Sequence, residues 1–357
     1  MTSDMIQEPD AMPSEWDGMI TLANPMKENY EAFIVGNATM CDEVVHENEA
    51  EGQTIVICGA GPSLRDHAEK WTAKGDQVWG CNSAAIWLHD QGYPVTHAFT
   101  VDQTPHMVEE WLSAPPLEYL IASTVHPHLP QLLQARERRM RFFHNFVLIQ
   151  KPPVRYCECG HDHPVEPVPG NESEGVALAE CAHCDCTEWR PKVMQYEEWL
   201  YHTLYEPTVV TGSGLNSTTR AIDLARFMGA KEIILLGADC AIKVNKPRPP
   251  KAFVGSSAHR AWLKEHTEMH ADGSDPLRSG ATAVTLEGEI DGRVWLSKPD
   301  MLITAVHLER LRRELGRKTL RIIGDTLPNA LQTKDEAFLK RMPHFVDGPD
   351  GEGASTE

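Results

Sequence analysis

The chain has 357 residues, of which 41% are hydrophobic and 24% charged, with a formal net charge of -19. That length can bury a substantial core, either in one large α/β domain or in a core domain with additions. The acidic balance excludes a general nucleic-acid coat, because counterion release needs many exposed Lys and Arg side chains. No apolar stretch approaches ~18 residues, and the opening MTSDMIQEPD lacks the positive start and apolar core of a signal peptide, so the sequence predicts no membrane association and a cytoplasmic location.

The first 52 residues carry twelve acids and a single lysine, and Pro9, Pro13 and Pro25 interrupt any long helix. This acidic segment, 1–52, is expected to be partly disordered, with a short leading helix over Asn29 to Val35. A Rossmann-like nucleotide-binding domain is then expected in two parts, 53–150 and 193–335, separated by an insert at 151–192 and followed by a tail at 336–357. Strands are predicted near 54 to 58, 77 to 81, 96 to 101 and 118 to 123 with helices between them, and the basic run Arg136 to Arg141 reads as a helix C-terminus. After the insert, the pattern resumes with Thr208 to Val210, a helix from Ser213 to Met228 and the apolar strand EIILLGAD ending at Asp239. In that helix Ala221, Leu224, Ala225 and Met228 share one face. A hairpin turning at Asp291 and Gly292, a helix from Pro299 to Leu315 and a strand Leu320 to Ile323 complete an α/β, doubly wound, mostly parallel sheet.

Open α/β sheets bind ligands beyond the carboxyl ends of their strands, so polar residues there stand out. The run TIVICGAGPSL is a buried strand, a glycine turn and a helix start. Gly59 and Gly61 allow close backbone approach, Pro62 and Ser63 suit a first helical turn, and free N–H groups with the positive dipole end welcome an anion. Leu64 stands where a dinucleotide fingerprint needs its third glycine, and no acid ends the second strand, which disfavours NAD. A P-loop is excluded because no lysine followed by Ser or Thr comes after the second glycine. The nucleotide is therefore expected on Gly59, Ala60, Gly61, Pro62, Ser63, Asn82 and Ser83. Asp102 and Asp239, each ending a strand, form a candidate catalytic pair holding one magnesium ion. TGSGLNSTTR places Ser213, Gly214, Asn216, Ser217 and Thr218 where they can cap a helix or meet a substrate.

Beyond Asp239, Lys243, Lys246, Arg248 and Lys251 stand on a proline-stiffened loop suited to clamping a polyphosphate, and His259, His266 and His270 are candidate bases. Five of the nine cysteines lie in the insert, within CECGHDH and CAHCDC. Two knuckles of soft ligands on a segment too polar to build its own core point to structural zinc on Cys157, Cys159, Cys181 and Cys184, with Cys186, His161 or His163 as substitutes. The remaining cysteines, Cys41, Cys58, Cys81 and Cys240, read as small apolar residues.

Taken together, ICGAGPSL, GCNSAA, TVDQTP and GSGLNSTTRAIDLARFMGAKEIILLGAD resemble the 6-hydroxymethylpterin diphosphokinase MptE-like family, over about residues 30 to 146 and 195 to 330. That family is related in fold to certain bacterial sialyltransferases. The resemblance implies magnesium-dependent transfer of a diphosphate from ATP to the hydroxymethyl group of a reduced pterin. On it, Gly59, Gly61, Ser63 and Asn82 hold the nucleotide, Asp102 and Asp239 the metal, and Ser213 to Thr218 shape the acceptor pocket. Two other readings stand beside it. One is glycosyl transfer from a nucleotide sugar; the other is a non-catalytic protein that docks a partner through its zinc module.

Overall fold

The computed structural model describes residues 29–147, 149, 151, 154–157, 191–205, 210–211, 216–244, 270–273 and 286–335. Short apolar runs make the sheet. β1 (Thr54–Cys58), β2 (Gln77–Cys81), β3 (His97–Thr100), β4 (Glu118–Ala122), β5 (Met140–Asn145), β8 (Val210–Thr211), β9 (Glu232–Leu236) and β13 (Leu320–Ile322) join in the order β13-β9-β1-β2-β3-β4-β5-β8. Every neighbouring pair is parallel. From β1 the chain builds outward through β2 to β5. It then returns to lay β9 on the other side of β1, so the order reverses between these two strands.

Both faces of this sheet are covered, which is why the strands read as continuous apolar runs. On one face Ile55, Ile57, Trp79, Phe99, Leu120 and Phe143 pack against α7 (Ser217–Phe227) and α8 (Pro299–Leu315). On the other, Val56, Cys58 and Val78 meet α2 (Ser63–Thr72) and α3 (Ser83–Asp90). Further along that face, Ala98, Tyr119, Ile121 and Phe142 meet α1 (Tyr30–Ala38), α4 (His106–Glu110), α5 (His128–Ala135) and α6 (Tyr196–Leu204). Each such aliphatic side chain contributes roughly 1.5–3 kcal/mol when fully buried, so the two-sided sheet supplies most of the stability.

Two smaller sheets are attached. β10 (Ile242–Val244), β11 (Leu286–Ile290) and β12 (Arg293–Ser297) form one in the order β10-β12-β11, and its hairpin turns at Asp291 and Gly292, both at positive φ, as the sequence predicts. β6 (Val154–Cys157) and β7 (Pro191–Met194) form an antiparallel ribbon that closes with Cys157 opposite Pro191. The chain between those two residues lies outside the described ones.

Several predicted boundaries change, among them the end of β9, which lies at Leu236 and not at Asp239. The leading helix spans Tyr30–Ala38. Helix α7 begins at Ser217, not Ser213, because Asn216 caps it: its Oδ1 accepts from the Thr219 N–H at 3.1 Å, and the Asn216 N–H donates back to Thr219 Oγ1. The basic run is no helix end, since α5 stops at Ala135 and Arg141 lies inside β5. Acids make that possible. Arg141 pairs with Glu49, Glu118 and Glu43, and Arg139 bonds Glu43 and Glu118, each at 2.8 Å.

In α7, burial raises the Asp223 carboxyl to about 6, against the pull of Arg226 and Arg220. The folded chain thus keeps a proton that the unfolded chain has released, so stability falls as pH rises from about 4 to about 6. Asp223→Asn should remove that slope and raise the melting temperature near neutral pH. Urea melts of both proteins on either side of the window check it; an unchanged slope in the variant would refute the assignment.

Candidate functional site

The reversal point lies between β1 and β9, where a parallel sheet offers its crevice. Here the two loops that leave these strands are closed on each other. The Gly61 N–H donates to Gly237 O at 2.9 Å, and the Gly59 N–H to Leu236 O at 2.9 Å. A Cβ at Gly59 or Gly61 would stand 2.7 Å or 2.6 Å from Gly237 O, which is why these positions are glycine. Asp239, 8% exposed, accepts through Oδ2 from the Ser63 N–H at 3.2 Å and from Ser63 Oγ at 2.9 Å. The Leu64 N–H is held by Gly61 O, and Ala60 O accepts from the Ala271 N–H.

This changes the expected phosphate cradle at Gly59, Ala60, Gly61, Pro62 and Ser63. The anion at the start of α2 is the chain's own Asp239, and the N–H groups of Gly59, Gly61, Ser63 and Leu64 are engaged within the protein. Arg65 adds a clamp from outside, its guanidinium donating to His270 O at 2.6 Å and to Ala271 O at 3.0 Å. His270 meets the turn through its carbonyl; His259 and His266 lie outside the described residues.

The two expected magnesium ligands follow different strands. Asp239 follows β9 and Asp102 follows β3, with β1 and β2 between them. Asp102 is engaged locally, its Oδ1 accepting from the Thr104 N–H at 2.9 Å and Thr104 Oγ1 at 2.6 Å. Among the described residues no group of three or more His, Cys, Asp or Glu side chains could hold a metal. Of the zinc set, Cys157 ends β6, while Cys159, Cys181 and Cys184 lie outside the described residues, as do Cys186, His161 and His163. Lys243 lies in β10; Lys246, Arg248 and Lys251 lie outside them.

Asn82 remains, and it is unusual. At φ 50° and ψ -128° it adopts a backbone that favours glycine. Its Nδ2 donates to Ser217 Oγ at 3.2 Å, and its Oδ1 is buried without a partner. Ser83 follows as the first residue of α3. Across the crevice Thr218 is buried, its Oγ1 donating to Asn216 Oδ1 at 2.8 Å and its methyl facing Gly59. The structure thus joins Asn82 to Ser217, one residue from each of two predicted segments, while Ser213 and Gly214 lie outside the described residues. Beyond β3, Gln103 Oε1 accepts from the Tyr30 hydroxyl at 2.8 Å.

Sequence reasoning missed the carboxyl ends of β4 and β5. Ser123 Oγ and His144 Nδ1 are 2.7 Å apart, His144 Nε2 and Glu197 Oε1 3.0 Å apart, and all three residues are buried. Glu197 also accepts from the Val147 N–H at 2.6 Å and the Ile149 N–H at 2.8 Å. Tyr201 stacks on the imidazole. Ser123 is fully buried, so this chain of groups is a strut: it ties α6 to two strand ends and fixes the backbone that leaves β5. Beside it Arg220, in the first turn of α7, donates to Phe146 O at 3.4 Å, and burial pushes its guanidinium down to about 10.

Two variants check these roles. Asp239→Asn removes the charge at the α2 start and weakens the bonds from Ser63, so it should cost about 1–2 kcal/mol in denaturant melts. Glu197→Leu strands the His144 ring and two backbone N–H groups and should cost about 3–5 kcal/mol; a loss below about 1 kcal/mol would mean that the strut is not structural.

No family model matches the chain, and no curated protein matches it. Among solved structures, the MAf glycosyltransferase from Magnetospirillum magneticum AMB-1 is similar over 90% of this chain, at 12% sequence identity and a TM-score of 0.47. The match spans 42% of that longer protein. A likeness of this size carries nothing about chemistry, and the fold described above rests on the strand order alone.

Proposed function

We propose that the chain is a nucleotide-dependent transferase whose nucleotide lies across the carboxyl ends of β1 to β3, with Asn82 as its central polar contact and a small molecule as the acceptor. The observation that carries this reading is the state of Asn82. A strained backbone and a buried, unpartnered amide oxygen each cost free energy, and both stand beside the reversal point of a parallel sheet. A bound ribose or base would supply the missing donor. Ser83 follows Asn82 and Ser217 bonds it, Ser217 lying in the segment that the resemblance to the MptE-like family implies shapes the acceptor pocket.

Of the two transfer reactions, glycosyl transfer from a nucleotide sugar is favoured over diphosphate transfer from ATP. The latter reading places one magnesium ion on Asp102 and Asp239, and those carboxylates are separated by two strands. Glycosyl transfer needs no ion shared between them. A metal held by the nucleotide's own phosphates and a single carboxylate stays compatible with either reaction. Structural zinc on Cys157, Cys159, Cys181 and Cys184 belongs to the same proposal, as does docking of a protein partner on that module. Metal analysis of the purified chain, expected to give about one zinc per chain, tests the first.

Asn82→Gly separates strain from ligand binding. Glycine accepts this backbone without cost, so the unliganded variant should melt no lower than wild type, offset only by the lost bond to Ser217. Nucleotide stabilisation should disappear. Thermal shift of both proteins with AMP, CMP, GMP, UMP, ATP and nucleotide sugars, each with and without magnesium, makes the comparison. A variant that keeps the wild-type response sinks the assignment of Asn82; stabilisation of the wild type by ATP only with magnesium would return the preference to diphosphate transfer.

A further inference from the structure

We infer that Arg220 is the phosphate-binding residue of this site, its guanidinium holding the phosphate of the nucleotide whose ribose or base meets Asn82; this rests on the nucleotide reading above. Asn82 bonds Ser217, the first residue of α7, at 3.2 Å. Residues three apart on a helix are neighbours on its surface, so the stem of Arg220 stands one turn along from that bond. Its head reaches the strand ends. The guanidinium donates to Phe146 O, just past β5, and the Tyr30 hydroxyl and Glu197 lie near enough to act on its charge. Tyr30 belongs to α1 and Glu197 to α6, both packed on the sheet face opposite α7. The bond from the Tyr30 hydroxyl to Gln103 Oε1, at 2.8 Å, ties that side to the end of β3. A side chain that starts on one face and meets residues from the other crosses the carboxyl edge of the sheet, where open α/β folds place their ligands.

Charge gives Arg220 its task. A nucleotide brings at least one phosphate, and the usual place for it, the start of α2, is filled by Asp239. Asn82, Ser83, Ser217 and Gln103 are neutral, and Asp102 repels an anion. Arg220 supplies the opposite sign, in the first turn and so at the positive end of a helix of 11 residues. Its shape also fits. The planar fork of a guanidinium meets two phosphate oxygens at once, which an ammonium cannot do. Burial pushes the group down to about 10, and a cation drawn away from water gains more from a bound anion than an exposed one does.

The test compares full-length wild type with Arg220→Gln and Arg220→Lys, each titrated calorimetrically with adenosine, cytidine, guanosine and uridine and with AMP, CMP, GMP and UMP. Glutamine keeps an N–H for Phe146 O and removes the charge; lysine keeps the charge and removes the fork. The quantity read is the ratio of nucleotide to nucleoside affinity within one protein, which a general loosening of the site leaves unchanged. For the preferred base it should be about 10 to 100 in wild type, close to one in Arg220→Gln and intermediate in Arg220→Lys. Should Arg220→Gln fail to fold, the ratio in Arg220→Lys decides. A folded variant of either kind with the wild-type ratio overturns the inference and leaves Arg220 a structural tie, as does a wild type that binds nucleosides as tightly as nucleotides; both outcomes keep the contact at Asn82. A wild type that binds none of the probes overturns the inference together with the nucleotide reading.

Discussion

The fold depends on the closure between the loop after β1 and the loop after β9. These strands are adjacent in the sheet yet far apart in sequence, so their union fixes the whole doubly wound topology. The closure is built from backbone: the Gly61 N–H on Gly237 O, glycines on both sides to permit the approach, and Asp239 seated on the first turn of α2. A carboxylate held by a helix N-terminus is a favourable arrangement, and it is also a competitor for any phosphate that would sit there. The same residues that read as an anion cradle thus serve to join the two halves of the sheet.

With that crevice closed, the unpartnered polar group nearest to it is on the neighbouring strand end, at Asn82. Asn82 is held in a conformation that the surroundings must impose, between β2 and α3 and against Ser217 of α7. Farther on, Gln103 follows β3 and accepts from the Tyr30 hydroxyl. The Ser123, His144 and Glu197 strut lies on the opposite side of the β4 and β5 ends and holds them still.

Much of the fold was legible because local signals agreed with the tertiary outcome. TIVIC and EIILL are apolar runs bounded by turn residues, and they became central strands, the first with the predicted limits and the second ending at Leu236 instead of Asp239. Asp291 and Gly292 made the turn that their positive φ requires. β5 was not legible, because Arg139 and Arg141 look like solvated helix-end residues until Glu43, Glu49 and Glu118 arrive from other elements. That one omission hid part of the site: without β5, His144 and Asn145 are not strand-end residues. Ser123 ends a strand that was predicted, but its partners were missing. Glu197 comes from beyond the insert, and no local pattern links it to His144. The Asn82 strain was equally invisible, since a sequence shows the asparagine but not its φ.

The ribbon of β6 and β7 has a different meaning. Cys157 ends β6, Pro191 begins β7, and these two residues face each other across one strand spacing. In topological terms, whatever lies between them occupies the place of a hairpin turn. The sheet's hydrogen-bond ladder is blind to its length. A ribbon paired in this way keeps its register whatever sequence joins its two strands, so the parallel sheet and the cysteine-rich segment are free to acquire their sequences under separate selection.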